Sequence, residues 1–349
     1  MTARPCTAIA PHRGRTWHGV GLVAAVLAGA GVVGAVAATA GTADPPVPGI
    51  APVASVVTFG LPVLRALAGV AAVITVGLSL LPVLVRESGS TTVPEGAAIA
   101  RRTRTGALVA AVAWSVSAVA STGLQAAELD PTVPLTAGAV ADLVQRSGTG
   151  QGLLVTAGAA LGCASLAAYG LRRGRALPPE PQLGLALVGV LPGPAFGHAS
   201  STVSSSAHAV MLLATEIHVL AATAWVGGLA ALVAFAARRH GLLAVALPRF
   251  SRLAGLCLAG VAVSGVVAGA LGLGTASPSA LLSTTYGGLI LAKIGVTAAV
   301  AVIGAHMRRR LVRRALQGRP ERFAAWATAE LALMGVAFGI AVVLGHSGG

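Results

Sequence analysis

The chain has 349 residues, 55% of them hydrophobic and 10% charged, with a mean hydropathy of +0.84. That balance excludes a soluble domain of this size, because apolar runs of about 20 residues recur and each is long enough to cross a bilayer. The net charge of +14 does not point to nucleic acid: aromatics are only 3%, which leaves no stacking platform for bases, and the basic residues sit in alternate loops.

The pattern predicts an all-α polytopic transmembrane helix bundle of about nine spans, at roughly 17–40, 59–85, 105–126, 151–171, 183–199, 209–236, 253–273, 285–306 and 323–345. Two regions follow from the grouping: an N-terminal four-helix membrane region, 1–182, and a five-helix membrane region, 183–349. All but three of the 24 Lys and Arg residues fall on one set of loops, in groups such as Arg101, Arg102 and Arg104 or Arg308, Arg309 and Arg310. Of the exceptions, Arg146 lies on the opposite loops, and Arg65 and Lys293 lie inside spans. This division places the N-terminus in the cytoplasm and the C-terminus outside.

The first span has two readings. A basic start, an apolar run and Ala38-Thr39-Ala40 resemble a cleaved signal peptide, but the run is longer than a typical signal core, which favours a retained anchor. The outer loops are short, so chemistry is expected within the helices or at their outer mouths. Cys6, Cys163 and Cys257 are far apart and form no CxxC pair, which supports neither a disulfide framework nor a zinc site. Gly158/Gly162, Gly265/Gly269 and Gly335/Gly339 repeat at four-residue spacing and are expected to let helix backbones approach closely.

The fifth span carries Pro192 and Pro194 shortly before His198. Proline removes backbone donors, so the helix is expected to break there. A broken span that lines a site and a kink with His198 at the interface both fit. The sixth span is the most polar. On its wheel Met211 and His218 are about 700° apart, almost the same face, with Thr215 and Trp225 on that side and His208 within one quadrant. His208 and Met211 can touch one ligand at the outer mouth, whereas His218 is roughly 15 Å further in. Imidazole and thioether suit copper, the thioether favouring Cu(I). Copper is therefore the metal expected at His198, His208, Met211 and His218. A lone membrane histidine can also serve only to hold a neighbouring helix.

Arg65, Glu216 and Lys293 lie in the outer half of the membrane and Glu330 towards the inner half. Unpaired, each would cost on the order of 2.5–3.5 kcal/mol. Glu216 points about 160° away from His218, towards Arg65 or Lys293 as a partner. Mutual pairing and an ion pathway both remain open. No G-x4-G-K-[ST] motif is present to hydrolyse nucleotide, and no catalytic constellation marks an enzyme.

The stretch from His218 through Trp225, Gly227 and Gly228 to Leu229 resembles the H-x6-W-[VL]-G-G-L signature of the copper resistance D (CopD-like) membrane family. Gly197-His198-Ala199, Arg249-Phe250-Ser251, Ser264-Gly265, Thr285-Tyr286-Gly287, Lys293 and Glu330 resemble its other landmarks in order, over about residues 183–345. The resemblance implies a multi-pass protein of the inner (plasma) membrane that handles copper on the extracytoplasmic side and takes it inward. It also implies, besides the lipid bilayer, a periplasmic copper-binding protein or a cytochrome oxidase assembly factor as partner. The chain departs from the family in having His306-Met307-Arg308 where Asn-Arg is usual, and in having only four methionines. The alternative is non-covalent haem in a membrane redox protein, because His218, Trp225, the glycine pair and a later lysine also resemble the layout of small membrane protoporphyrinogen oxidases.

Overall fold

The structure is a computed structural model that describes residues 15–42, 54–85, 94–129, 131, 135–174, 178–192, 205–236, 240–273, five separate positions between 291 and 302, and 320–347. Its helices are α1 (Arg15–Thr42), α2 (Ser55–Val85), α3 (Pro94–Leu129), α4 (Ala137–Arg146), α5 (Gly148–Arg173), α6 (Glu180–Gly189), α7 (Ser205–Ala231), α8 (His240–Leu273) and α9 (Pro320–Ser347). A π-helical turn, Leu232–Ala236, continues α7.

Among the described residues seven helices are long and apolar enough to span a membrane: Gly19–Gly41, Ser55–Val85, Ile99–Leu129, Gly148–Arg173, Ala209–Phe235, Gly241–Ala268 and Ala325–Val343. They coincide with seven of the nine expected spans. The expected span 183–199 is described only to residue 192, including part of the ten-residue α6, and 285–306 falls almost wholly outside the described residues.

Local signals set the helix ends. Thr136 accepts a hydrogen bond from the Ala139 amide and caps α4, and Ser147 accepts from the Gly150 amide and caps α5. Gly174 ends α5 at φ 61°, a left-handed conformation that glycine adopts without strain. Within the spans, hydroxyls have no water to bond and turn back to their own helix. Thr39, Thr75, Ser79, Thr122 and Thr215 each donate to the carbonyl four residues earlier.

Close approaches fix which helices touch and in which direction they run. On α1 and α9, a Cβ added at Gly335 would meet the Leu27 carbonyl oxygen at 3.0 Å, and one at Gly339 would meet the Ala35 nitrogen at 2.6 Å, so these two helices are parallel. α2 and α3 are antiparallel, with Gly60 beside Leu124 and Gly106 beside Leu78. α3 and α5 are antiparallel too: Ser115 donates to the Ala157 carbonyl, while Ala100 and Thr103 share a cavity with Leu166. Gly77 of α2 lies against Gly227 of α7, and both helices finish beside the start of α8, where Arg249 donates to the Leu84 carbonyl and Phe250 meets Gly228. α7 therefore runs with α2, and α8 runs back against α7.

One core holds α1, α2, α7, α8 and α9 together around Leu27, Leu81, Trp225, Leu232, Leu243, Phe250 and Leu331. A smaller cluster joins α2, α3, α5 and α6 around Val76, Trp114, Ala160 and Cys163. α2 belongs to both clusters, and α1 joins the later helices directly through its packing on α9.

The glycine repeats divide by role. Among the described glycines of these repeats, Gly335 and Gly339 bring two backbones together as expected. Gly158 is exposed with nothing within 4 Å of an added Cβ, and Gly162 meets only the flexible end of Leu185. Gly265 faces the His218 ring rather than a backbone. Spacing alone gives small residues on one face, whereas close approach also requires a partner helix on that face.

Candidate metal site between α7 and α8

α7 presents its polar residues in tiers. His208 lies in its first turn, and of its side chain nothing is described. Met211 is half-buried one turn on, and the Met211 carbonyl accepts the Thr215 hydroxyl at 2.8 Å. Val210, Leu213 and Ile217 are exposed and define an outward face. His218 lies on the flank beside that face, against α8. Its Nδ1 lies 3.1 Å from the Ser264 hydroxyl, which lies 2.5 Å from the Gly260 carbonyl oxygen. Ser264 is only 3% exposed, so a polar contact here is made away from water.

One turn and more below, Trp225 is 7% exposed within the main core. Gly227 and Gly228 are contact points. A Cβ at Gly227 would meet the Gly77 nitrogen at 2.9 Å, and one at Gly228 would meet Phe250 Cε2 at 2.6 Å. The tryptophan and the glycine pair therefore lock α7 between α2 and α8 and hold the helix that carries His218 in register.

The intramembrane charges do not all meet. Arg65 reaches across to α3, where it donates to Gln125 Oε1, and Gln125 Nε2 donates to Glu128 Oε2 at 2.8 Å. This Arg65 contact is thus to the neighbouring helix of the hairpin and not to Glu216 of α7. Glu216 is half-buried and makes no ion pair among the described residues. Glu330 is 4% exposed in α9, one residue from the core Leu331. His198 and Lys293 lie outside the described residues, as does His306.

Among the described residues no three His, Cys, Asp or Glu side chains converge as a metal set. The donors that remain on one flank, His218 and Met211, are separated by seven residues, about 10 Å along the helix. That spacing suits successive stations better than one centre. A cavity of about 160 Å³ lies elsewhere, between α2, α3 and the start of α6, lined by Leu78, Pro82, Arg104, Pro179 and Gln182. It is separate from the His218 flank, and the geometry at α7 and α8 carries the functional reading.

Ser264, Gln125 and Glu128 are the residues whose roles the sequence conceals. Each is a polar side chain in or beside an apolar run, which marks it as needing a partner but does not name the partner.

Two family models match the chain. Residues 54–209 match "Copper resistance protein D-like, N-terminal domain" and residues 244–344 match "Copper resistance protein D". The first covers spans that carried little of the resemblance read from the sequence. The second covers Phe250, Ser264, Lys293 and Glu330. No curated protein and no solved structure matches the chain.

Proposed function

Because the chain belongs to the copper resistance protein D family, we propose that this multi-pass plasma-membrane protein takes copper ions from the extracytoplasmic side towards the cytoplasm through the α7–α8 seam. The observation that carries the reading is His218, a half-buried imidazole in mid-membrane whose Nδ1 is held by a buried serine on the next helix. Metal-ligating histidines characteristically have one ring nitrogen fixed by an outer partner while the other meets the metal. Met211 lies on the same flank towards the outer end and supplies the soft donor that favours Cu(I). His198 and His208 are proposed as the first ligands at the mouth. The chain acts on copper as cargo and not as an enzyme.

The direction of transport rests on the proposed nine-span topology. α2, α5 and α7 run the same way, as do α8 and α9. Two successive spans can share a direction only if the chain crosses back between them. In the nine-span reading the chain crosses back between α5 and α7 and again between α8 and α9, which agrees with these directions. Those are the expected fifth and eighth spans. With the basic loops inside, α7 enters from outside, so Met211 is shallow, His218 deeper and Glu330 in the inner half.

Radioactive copper accumulation by cells that rely on this protein tests the reading. His218→Ala, inserted at wild-type level, is expected to lose accumulation. Undiminished accumulation by that variant would rule His218 out as a station.

A further inference from the structure

We propose that the cavity between α2, α3, α5 and the start of α6 holds the headgroup phosphate of an anionic phospholipid, with Arg104 and Gln182 donating to its oxygens.

The cavity exists because the chain cannot close it. Pro82 interrupts the hydrogen bonding of α2, since its ring nitrogen has no N–H to give the Leu78 carbonyl. Pro179 and Pro181, at the start of α6, line the same space. Rigid rings from two helices leave about 160 Å³ between them. A cavity of about 150 Å³ takes a benzene-sized ligand, so a phosphate group fits here and a whole lipid does not.

Counting hydrogens gives the chemistry of the ligand. The Ser79 hydroxyl donates to the Thr75 carbonyl at 2.8 Å, and the Thr103 hydroxyl to the Ala100 carbonyl at 2.9 Å, so both hydrogens are committed to their own helices. Gln182 Nε2 differs. It is closed to solvent and has no hydrogen-bond partner among the described residues. A buried donor left in that state costs on the order of 1–3 kcal/mol, and the group that offsets this must bring an acceptor. Arg104 lines the same cavity. Its guanidinium is always charged and carries five N–H groups, so it serves a protein neighbour and a ligand together. These donors face walls that are otherwise mainly apolar, with Leu78, Ala107 and Leu166 among them. That combination suits an oxyanion carried on an apolar body.

Position selects a lipid over a soluble anion. The cavity lies near the end of α2, the start of α3 and the end of α5, just inside the spans. At this end α3 carries Arg101, Arg102 and Arg104, and α5 carries Arg172 and Arg173, against Glu95 on α3 and Glu180 on α6. Basic pockets between membrane helices at this level take anionic headgroups. A phosphate seated there bridges α3 to the start of α6, while its acyl chains stay in the bilayer.

The test uses the full chain purified in detergent and titrated with phosphatidylglycerol, phosphatidylcholine or inorganic phosphate. Native mass spectrometry reads lipid affinity, and SDS titration reads stability. The wild type is expected to bind one phosphatidylglycerol about 10-fold or more tightly than phosphatidylcholine, whose own cation opposes Arg104. Arg104→Gln and Gln182→Leu are each expected to weaken phosphatidylglycerol about 10-fold, the scale of one charge-assisted hydrogen bond. Gln182→Glu keeps the shape and replaces the donor by an acceptor, so it is expected to lose at least as much. Arg172 is exposed and does not line the cavity; Arg172→Gln is expected to stay within about twofold of wild type, as for a screened surface charge. Phosphatidylglycerol is also expected to protect the wild type against SDS by linkage and to protect Gln182→Glu less. Equal affinity of the wild type for the two lipids overturns the proposal. So does phosphatidylglycerol affinity unchanged in both Gln182 variants, or weakened as much by Arg172→Gln as by Arg104→Gln. Protection by inorganic phosphate alone, with phosphatidylglycerol adding nothing, overturns the lipid assignment.

Discussion

Replacing Gly227 by alanine places one methyl group at the tightest crossing of α2 and α7. The added Cβ would lie 2.9 Å from the Gly77 nitrogen and 3.1 Å from the Gly77 Cα, and against the Val73 carbonyl. Carbon contacts settle at about 3.5–4.0 Å. The neighbours here are backbone, which cannot rotate away, so the helices must part by something on the order of 1 Å. Overpacking of this kind costs about 1–3 kcal/mol. Alanine regains about 0.8–1 kcal/mol of helix propensity over glycine. The net expectation is a loss of up to about 2 kcal/mol against wild type and of about 1–3 kcal/mol against an alanine placed where there is room, with Gly227→Val worse. Gly158→Ala adds the same methyl group where nothing lies within 4 Å, so it is expected to be neutral or slightly stabilising. Unfolding in mixed micelles by SDS titration reads both. A Gly77→Ala, Gly227→Ala double variant should cost less than the sum of the two, since one parting of the helices relieves both clashes. Gly227→Ala indistinguishable from Gly158→Ala would refute the account of the glycine pair as a contact between helices.

Gln125→Leu removes the acceptor of Arg65 and the link to Glu128, and should lower stability in the same titration by about 1.5–3 kcal/mol, the range for hydrogen bonds to charged groups; an Arg65→Met, Gln125→Leu double variant should recover part of that loss. A single cysteine at position 204, in a chain whose own cysteines are replaced, should react with a membrane-impermeant maleimide from outside, and one at position 317 only after permeabilisation. Reversed labelling would contradict the nine-span orientation.

The spans were legible because the bilayer imposes a length and a polarity on every crossing helix, and both are properties of a single stretch of sequence. Seven expected spans reappear as helices for that reason. What the sequence hides is adjacency. Arg65 and Lys293 are the expected partners of Glu216 because all three share one half of the membrane, but α2 pairs with α3, and Arg65 meets Gln125 there, with Glu128 beside it. The four-residue glycine repeats look alike in sequence, although among the described ones Gly335 and Gly339 have a backbone opposite them and Gly158, Gly162 and Gly265 do not. His218 stood out as a polar group that must be satisfied. Its partner Ser264 is 46 residues away, and nothing in the spacing joins the two until α7 and α8 are placed side by side.

The central claim, that His218 is a copper ligand, is tested most directly by X-ray absorption at the copper edge on purified protein loaded with one equivalent of Cu(I). The account predicts imidazole nitrogen in the first coordination sphere of the wild type and loss of the nitrogen signal attributable to His218 in His218→Ala. Copper retained with an unchanged spectrum in that variant would contradict the claim, as would a purified protein that binds no copper and shows a Soret band instead.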